Sequence, residues 1–267
     1  MTTHYSSNAI YCSVTLIVLT VRYYRTQENS RNKRITLILA SLSLLALLLT
    51  TKRGHLVFSL AAIMLSYFIC ARGAKSGRLF KAAFYGVIVL SIFLIIGQYI
   101  PMLSSVIDRF TNTADISTGR YLIWQQALSG FAQNRIFGIG WRGYFYRILH
   151  GSTYFGYTNA HNVYIQLLCE RGLIGLLFVI FLYTHILVVS VRLFNQLKET
   201  GESFWADRIA VSIGVQIFFI IYGFTGCDLY DFTFVAYILQ CASVMMIAKT
   251  FKFNTIRKKK NGISINQ

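Results

Sequence analysis

Apolar residues in this chain neither alternate nor keep to one helical face; they run on in stretches of helical length, separated by polar segments that carry the charge. A helix needs about 20 apolar residues to cross the hydrocarbon layer of a bilayer. By that measure the sequence predicts about seven spans: Asn8 to Val21, Ile35 to Thr50, His55 to Ala71, Ala82 to Ile100, Leu173 to Val191, Ile209 to Gly226 and Phe232 to Ala248. Two of these runs fall short of an ideal crossing, so tilt, bilayer thinning or snorkelling flanks must make up the difference. The expected fold is an all-α, polytopic membrane helix bundle. It forms a single integral membrane domain over residues 1–267, with one long extracytoplasmic loop at 101–172 that contains short interfacial helices. A single proline, Pro101, leaves the helices largely unbroken.

Composition removes the alternatives. Of 267 residues 55% are hydrophobic and 13% charged, with a mean hydropathy of +0.53, too little charge to solvate a globule of this size. Met1 to Ile10 hold no Lys or Arg, so the basic region of a cleaved signal peptide is missing and the first run is expected to stay as a span. The cysteines Cys12, Cys70, Cys169, Cys227 and Cys241 lie in or beside apolar runs, with no CxxC and no Cys/His spacing suited to zinc. Neither a structural metal, a cofactor nor a disulfide framework is expected.

The net charge of +17 would suit nucleic acid or anionic lipid, and its distribution decides between them. Cytoplasmic loops hold the excess of Lys and Arg. One set of alternate loops collects eighteen of the 26: Arg22 to Arg34, Arg72 to Lys81, Arg192 to Arg208 and the tail Lys249 to Lys260. The other side holds Lys52, Arg53, Arg109, Arg120, Arg135, Arg142, Arg147 and Arg171, although it owns the longest loop. The N-terminus is therefore predicted outside and the C-terminus inside. The basic tail reads as a topology determinant touching membrane lipids, and no nucleic-acid partner is expected.

The loop from Pro101 to about Gly172 is the sizeable non-membrane region, where function is expected. Ser117 or Thr118 can cap a helix whose Tyr121, Trp124, Leu128 and Phe131 form one apolar stripe, suited to the membrane surface. Glycines then break the helix in Phe137-Gly138-Ile139-Gly140-Trp141-Arg142-Gly143, whose aromatics suit either the headgroup layer or sugar faces. Asn159-Ala160-His161-Asn162 and a short helical stretch lead to Glu170-Arg171-Gly172 at the entrance of the next span.

Three patterns recur in order: Thr51-Lys52-Arg53-Gly54 opening a span; Ser117-Thr118-Gly119-Arg120 followed by Trp124 and Gly138-Ile139-Gly140; and Ala160-His161-Asn162 followed by Tyr164, Leu167, Glu170 and Gly172 to Leu176. The series resembles the shared core of the O-antigen ligase and O-antigen polymerase family, over roughly Ile35 to Phe251. Family members carry further N-terminal spans that this sequence lacks, so it reads as a shortened member, a fragment or a chain that depends on another subunit. Asn134-Arg135-Ile136 stands where the family often has a proline.

The resemblance implies a bacterial cytoplasmic-membrane glycosyltransferase of polysaccharide biosynthesis in the cell envelope. It would move a glycan from undecaprenyl diphosphate, or a similar polyprenyl diphosphate carrier, to a hydroxyl of a glycan, lipid or protein acceptor. The transfer would invert the anomeric carbon and use no metal; ligation and polymerisation are not separated by the motifs. The motif matches put Arg53 and Arg120 on the diphosphate, where a guanidinium forks onto phosphate oxygens, and make His161 the general base. Charge sorting, which used no family knowledge, places Arg53, Arg120 and His161 on the same face.

Trp124, Trp141, Asn162 and Glu170 are further candidate substrate contacts. His55 and His150 are rivals on the same side. None of Asp108, Asp115, Glu170, Asp228 and Asp231 forms the tight acidic pair that holds a catalytic divalent ion. Two other readings compete: a transporter or flippase of lipid-linked glycans, disfavoured by the scarcity of mid-span charge, and a noncatalytic scaffold among other polysaccharide-assembly membrane proteins.

Overall fold

The computed structural model describes residues 5–25, 29–50, 52–70, 120–148 and 159–260. Among these the regular structure is helical throughout, giving an all-α membrane bundle. The helices are α1 (Tyr5–Arg25), α2 (Ser30–Leu49), α3 (Arg53–Cys70), α4 (Arg120–Gln133), α5 (Val163–Glu199), α6 (Ser203–Tyr222) and α7 (Val235–Lys260). Five stretches are long and apolar enough to cross a membrane: Ser30–Leu49, Arg53–Cys70, Val163–Glu199, Ser203–Tyr222 and Phe232–Phe251. The first predicted run is helical as α1 but is not among those five. The predicted span Ala82–Ile100 lies outside the described residues, as do Pro101, Asp108, Asp115, Ser117, Thr118 and His150.

Element ends differ from the hydropathy pattern for local chemical reasons. The polar start of α2 is helical because the Asn29 side chain accepts the Asn32 amide at 2.9 Å and caps it. Conversely, the apolar run Ile209 to Gly226 does not remain helical to its end. Helix α6 stops at Tyr222, and Thr225 and Gly226 both donate their amides back to the Tyr222 carbonyl, at 2.8 and 2.9 Å. Two short 3-10 turns, Asp228–Tyr230 and Phe232–Phe234, precede α7, so the predicted span start at Phe232 falls in a turn.

Helix α6 is the axis of the bundle. Helices α1, α3, α5 and α7 pack around it. Its Ile209, Ile213, Phe218 and Phe219 are fully buried. Lipid gives helices no hydrophobic reason to associate, so close packing and polar pairs must hold them. A Cβ on Gly214 would come within 2.9 Å of Ile17 and 3.5 Å of Ser66, so this glycine lets three helices meet. Polar pairs tie α6 sideways: Gln216 donates to Ser190 of α5 at 2.9 Å, and Ser212 donates to Gln240 of α7 at 2.8 Å.

At the end where α1 and α3 finish and α6 begins, Arg25 is buried. It donates Nε to Asp207 at 2.8 Å and Nη1 to the Cys70 carbonyl at 2.8 Å, and it lies 5.0 Å from the Phe194 ring. One guanidinium thus joins α1, α3, α5 and α6. Arg25→Ala strands the Asp207 carboxylate. It should cost about 3–5 kcal/mol, more than the double replacement Arg25→Leu with Asp207→Leu. Reversible unfolding in detergent micelles checks the order of the two losses.

Candidate functional site

The opposite end of the bundle is built on a break in α5. Gly172 has φ 63° and ψ −164°, a backbone region open essentially to glycine alone, and it interrupts the helix about two and a half turns after its start at Val163. A break leaves amides and carbonyls without their intrahelical partners. The glycine loop after α4 satisfies them. Ile139 donates to Cys169 O at 2.9 Å, Gly140 to Glu170 O at 3.0 Å, and in return Leu173 donates to Arg135 O at 2.8 Å. The two backbones approach so closely that a Cβ on Gly138 would lie 2.4 Å from the Glu170 carbonyl carbon, and one on Gly172 would lie 2.3 Å from Ile136 O. Gly138 itself sits at φ 70°.

Glu170, fully buried, locks the next piece of loop. Its oxygens take the Arg142 amide at 3.0 Å and the Gln166 side chain at 3.2 Å. Gln166 in turn accepts the Ala160 amide at 3.0 Å. Arg171 does not pair with its neighbour Glu170 but lies 4.8 Å from the Trp141 ring, which stacks on Tyr230 at 5.0 Å.

Helix α4 rests on α5 through Ile123, Ala127 and Gly130. The stripe of Tyr121, Trp124, Leu128 and Phe131, expected to suit the membrane surface, lies off the buried face: Tyr121 and Leu128 are exposed, while Ile123, Ala127 and Gly130 are buried. Trp124 reaches across with its indole N–H and donates to the Ala160 carbonyl at 2.9 Å.

The turn after α6, residues 222–228, draws the motifs together. Asn162 caps α5 with its side-chain oxygen, which accepts the Tyr164 and Ile165 amides at 3.0 and 3.1 Å, and its amide nitrogen donates to Phe224 O at 3.1 Å. Val163 donates to Gly223 O at 2.9 Å. Arg120, the first residue of α4, points Nη1 at Thr225 O at 3.4 Å. Gly54, next to Arg53 at the start of α3, packs closely on Thr225, whose Oγ1 would lie 3.2 Å from an added Cβ. The starts of α3, α4 and α5 therefore all meet one turn.

His161 lies between Ala160 and the cap, with φ 51°, a left-handed conformation that costs a non-glycine residue about 1 kcal/mol or more. It is held there because Ala160 and Asn162 on either side are both committed. Its imidazole is pulled from 6.5 down to about 4, first by burial and then by the charges of Arg120 and Lys52. Both cations thus act on the histidine. Arg53 stands one residue beyond Lys52, half-buried.

The structure brings Arg120, His161 and Lys52 together, with Arg53 on the same helix start. Trp124, Asn162 and Glu170 have hydrogen-bonding groups committed to the fold around His161, and Trp141 stands apart on the Arg171 and Tyr230 stack. Sequence reasoning missed the 222–228 turn; the glycines Gly223 and Gly226 near the end of an apolar run were the available signal. Asp228, at the end of that turn, is buried and neither carboxylate oxygen has a hydrogen-bond partner among the described residues. Burial, with a contribution from the Asp231 charge, raises its carboxyl from 3.8 to about 7.

A helical membrane bundle with a cationic, imidazole-bearing site at one end of its spans is the class of protein that fold and site define. The chain belongs to the O-antigen ligase family, whose model matches residues 38–180, just over half of its length, including Arg53, Arg120 and His161. No curated protein matches it.

Gly172→Ala should lower the midpoint of thermal unfolding by far more than Gly201→Ala. Both glycines have positive φ, but a Cβ at Gly201 meets nothing within 4 Å. A second expectation concerns Asp228. Its folded-state pKa lies above the unfolded one, so the fold binds the proton more tightly and loses stability as pH rises from about 4 to about 7. Asp228→Asn should flatten that slope and gain on the order of 2 kcal/mol at pH 8, read from unfolding midpoints across pH.

Proposed function

We propose that this chain transfers a glycan from a polyprenyl diphosphate carrier to an acceptor hydroxyl at the non-cytoplasmic face of the bacterial inner membrane. The gathering of cationic groups about a half-buried imidazole at the start of α5 is the observation that carries this reading. A polyprenyl diphosphate offers two negative groups at the membrane surface, and guanidinium groups match phosphate oxygens in pairs. Arg53 and Arg120 hold the diphosphate and stabilise the charge that grows as it departs.

His161 faces the acceptor. An imidazole whose pKa is depressed to about 4 is unprotonated at neutral pH, the form a general base requires. It takes the hydroxyl proton as the acceptor oxygen forms its bond to the anomeric carbon, while the bond from that carbon to the phosphate oxygen breaks. Attack opposite the leaving diphosphate inverts the centre. The imidazolium then passes its proton to the diphosphate or to water. Trp124, Asn162 and Glu170 serve by fixing the His161 turn, and Trp141 offers an exposed aromatic edge to the glycan. The acceptor is a glycan, lipid or protein, so both ligation and polymerisation fit the same chemistry.

The test is transfer from a lipid-linked oligosaccharide to an acceptor by the purified protein. Arg53→Ala, Arg120→Ala and His161→Ala should each lower kcat/KM about a hundredfold or more. Full activity in His161→Ala would remove the base. Activity of the wild type should be lost as pH falls through about 4 in kcat/KM, because His161 then holds a proton. A bound diphosphate offsets the Arg120 and Lys52 charges, so the profile of kcat should turn down at a higher pH than that of kcat/KM.

A further inference from the structure

A second imidazole stands at this site. His55, three residues after Lys52 and in the first turn of α3, is 4% exposed and its Nε2 has no hydrogen-bond partner among the described residues. Its ring rests 4.4 Å from that of Tyr222, the residue from which the 222–228 turn departs. The charges of Lys52 and Arg120 bear on it, as they do on His161. A buried polar atom left unpaired is costly, and in native proteins it calls for a partner. Nothing in the packing of α3 against α6 needs a polar ring here: Phe58, one turn on, meets the same Tyr222 ring with an apolar one.

We propose that His55 is a binding group for the diphosphate, its Nε2–H donating a hydrogen bond to a phosphate oxygen between Lys52 and Arg120. The inference rests on the reading of the site as a lipid diphosphate site. His55 and His161 then divide the work, one on the leaving side and one on the acceptor side. Tyr222 fixes the His55 ring and so ties the diphosphate pocket to the same turn that positions Arg120 and Asn162.

Glutamine can set its amide nitrogen near the position of Nε2, and asparagine cannot reach it. The experiment compares His55→Gln, His55→Asn and His55→Ala in binding of farnesyl diphosphate, used as a short polyprenyl diphosphate, and in transfer. The expected result is a loss of about tenfold or more in diphosphate affinity for the Ala and Asn variants, with His55→Gln within a few-fold of wild type. The pH at which His161 titrates in kcat/KM should not move in His55→Gln. Unchanged diphosphate affinity in both Ala and Asn variants overturns the inference, as do equal losses in all three that follow a lowered unfolding midpoint. The binding arm needs no turnover. A wild type that binds farnesyl diphosphate through His55 but transfers nothing would fail the proposed activity and keep this inference.

Discussion

Backbone groups left open where a helix breaks must find partners, and much of the site follows from how this chain meets that constraint at one place. Helix α5 breaks at Gly172, and the loop Arg135 to Gly140 fills the break with its own amides and carbonyls. Two glycines at positive φ are required because the approach leaves no room for a Cβ on either side. Once the loop is docked, Glu170 is enclosed and takes the Arg142 amide, Gln166 is drawn toward Glu170, and Ala160 is drawn to Gln166. His161 comes next in that chain of contacts. Its left-handed conformation is what remains when both neighbours are fixed.

A complementary constraint acts from the other side. Helix α6, buried along its length, ends at Tyr222, and its free carbonyls have to be used. The starts of α3, α4 and α5 converge on the turn that follows, through Thr225, Phe224 and Gly223. Helix starts carry the positive end of the peptide dipoles, so three of them add to the field of Lys52, Arg53 and Arg120. A site made in this way is suited to a polyanion at a membrane surface. At the other end of the bundle the fold closes on itself, with Arg25 bound to Asp207 and the Cys70 carbonyl.

Much of this was legible in one dimension. Length and continuity of apolar runs predicted the five described stretches able to cross a membrane, since a crossing needs little beyond enough apolar residues. Motif order put Arg53, Arg120 and His161 in one site, of which Arg120 acts on His161, and the glycines of the 137–143 segment marked where α4 breaks off. Less legible were the helix ends. The run from Ile209 to Gly226 is mostly apolar, but its helix stops at Tyr222, whose carbonyl takes the Thr225 and Gly226 amides, and the turn beyond gives its carbonyls to Val163, Asn162 and Arg120. Periodicity marked Tyr121, Trp124, Leu128 and Phe131 of α4 as a stripe for the membrane surface, but it did not show that Ile123, Ala127 and Gly130 form the face turned to α5. Hydropathy ranks side chains by their wish to leave water, and in a membrane both faces of a helix can do so; only small size marks the face that meets another helix.

The sequence by itself determined that this chain lives in a membrane and which residue types it carries to the ends of its helices, because both follow from local composition. Only the tertiary structure decided that the 222–228 turn, outside the stretch matched by the family, is where those ends meet, and that His55 is buried beside the cations. Contacts between residues more than a hundred positions apart, such as Arg120 with Thr225, leave no trace in a window of sequence. They exist because unsatisfied carbonyls at the end of one helix find donors at the start of others.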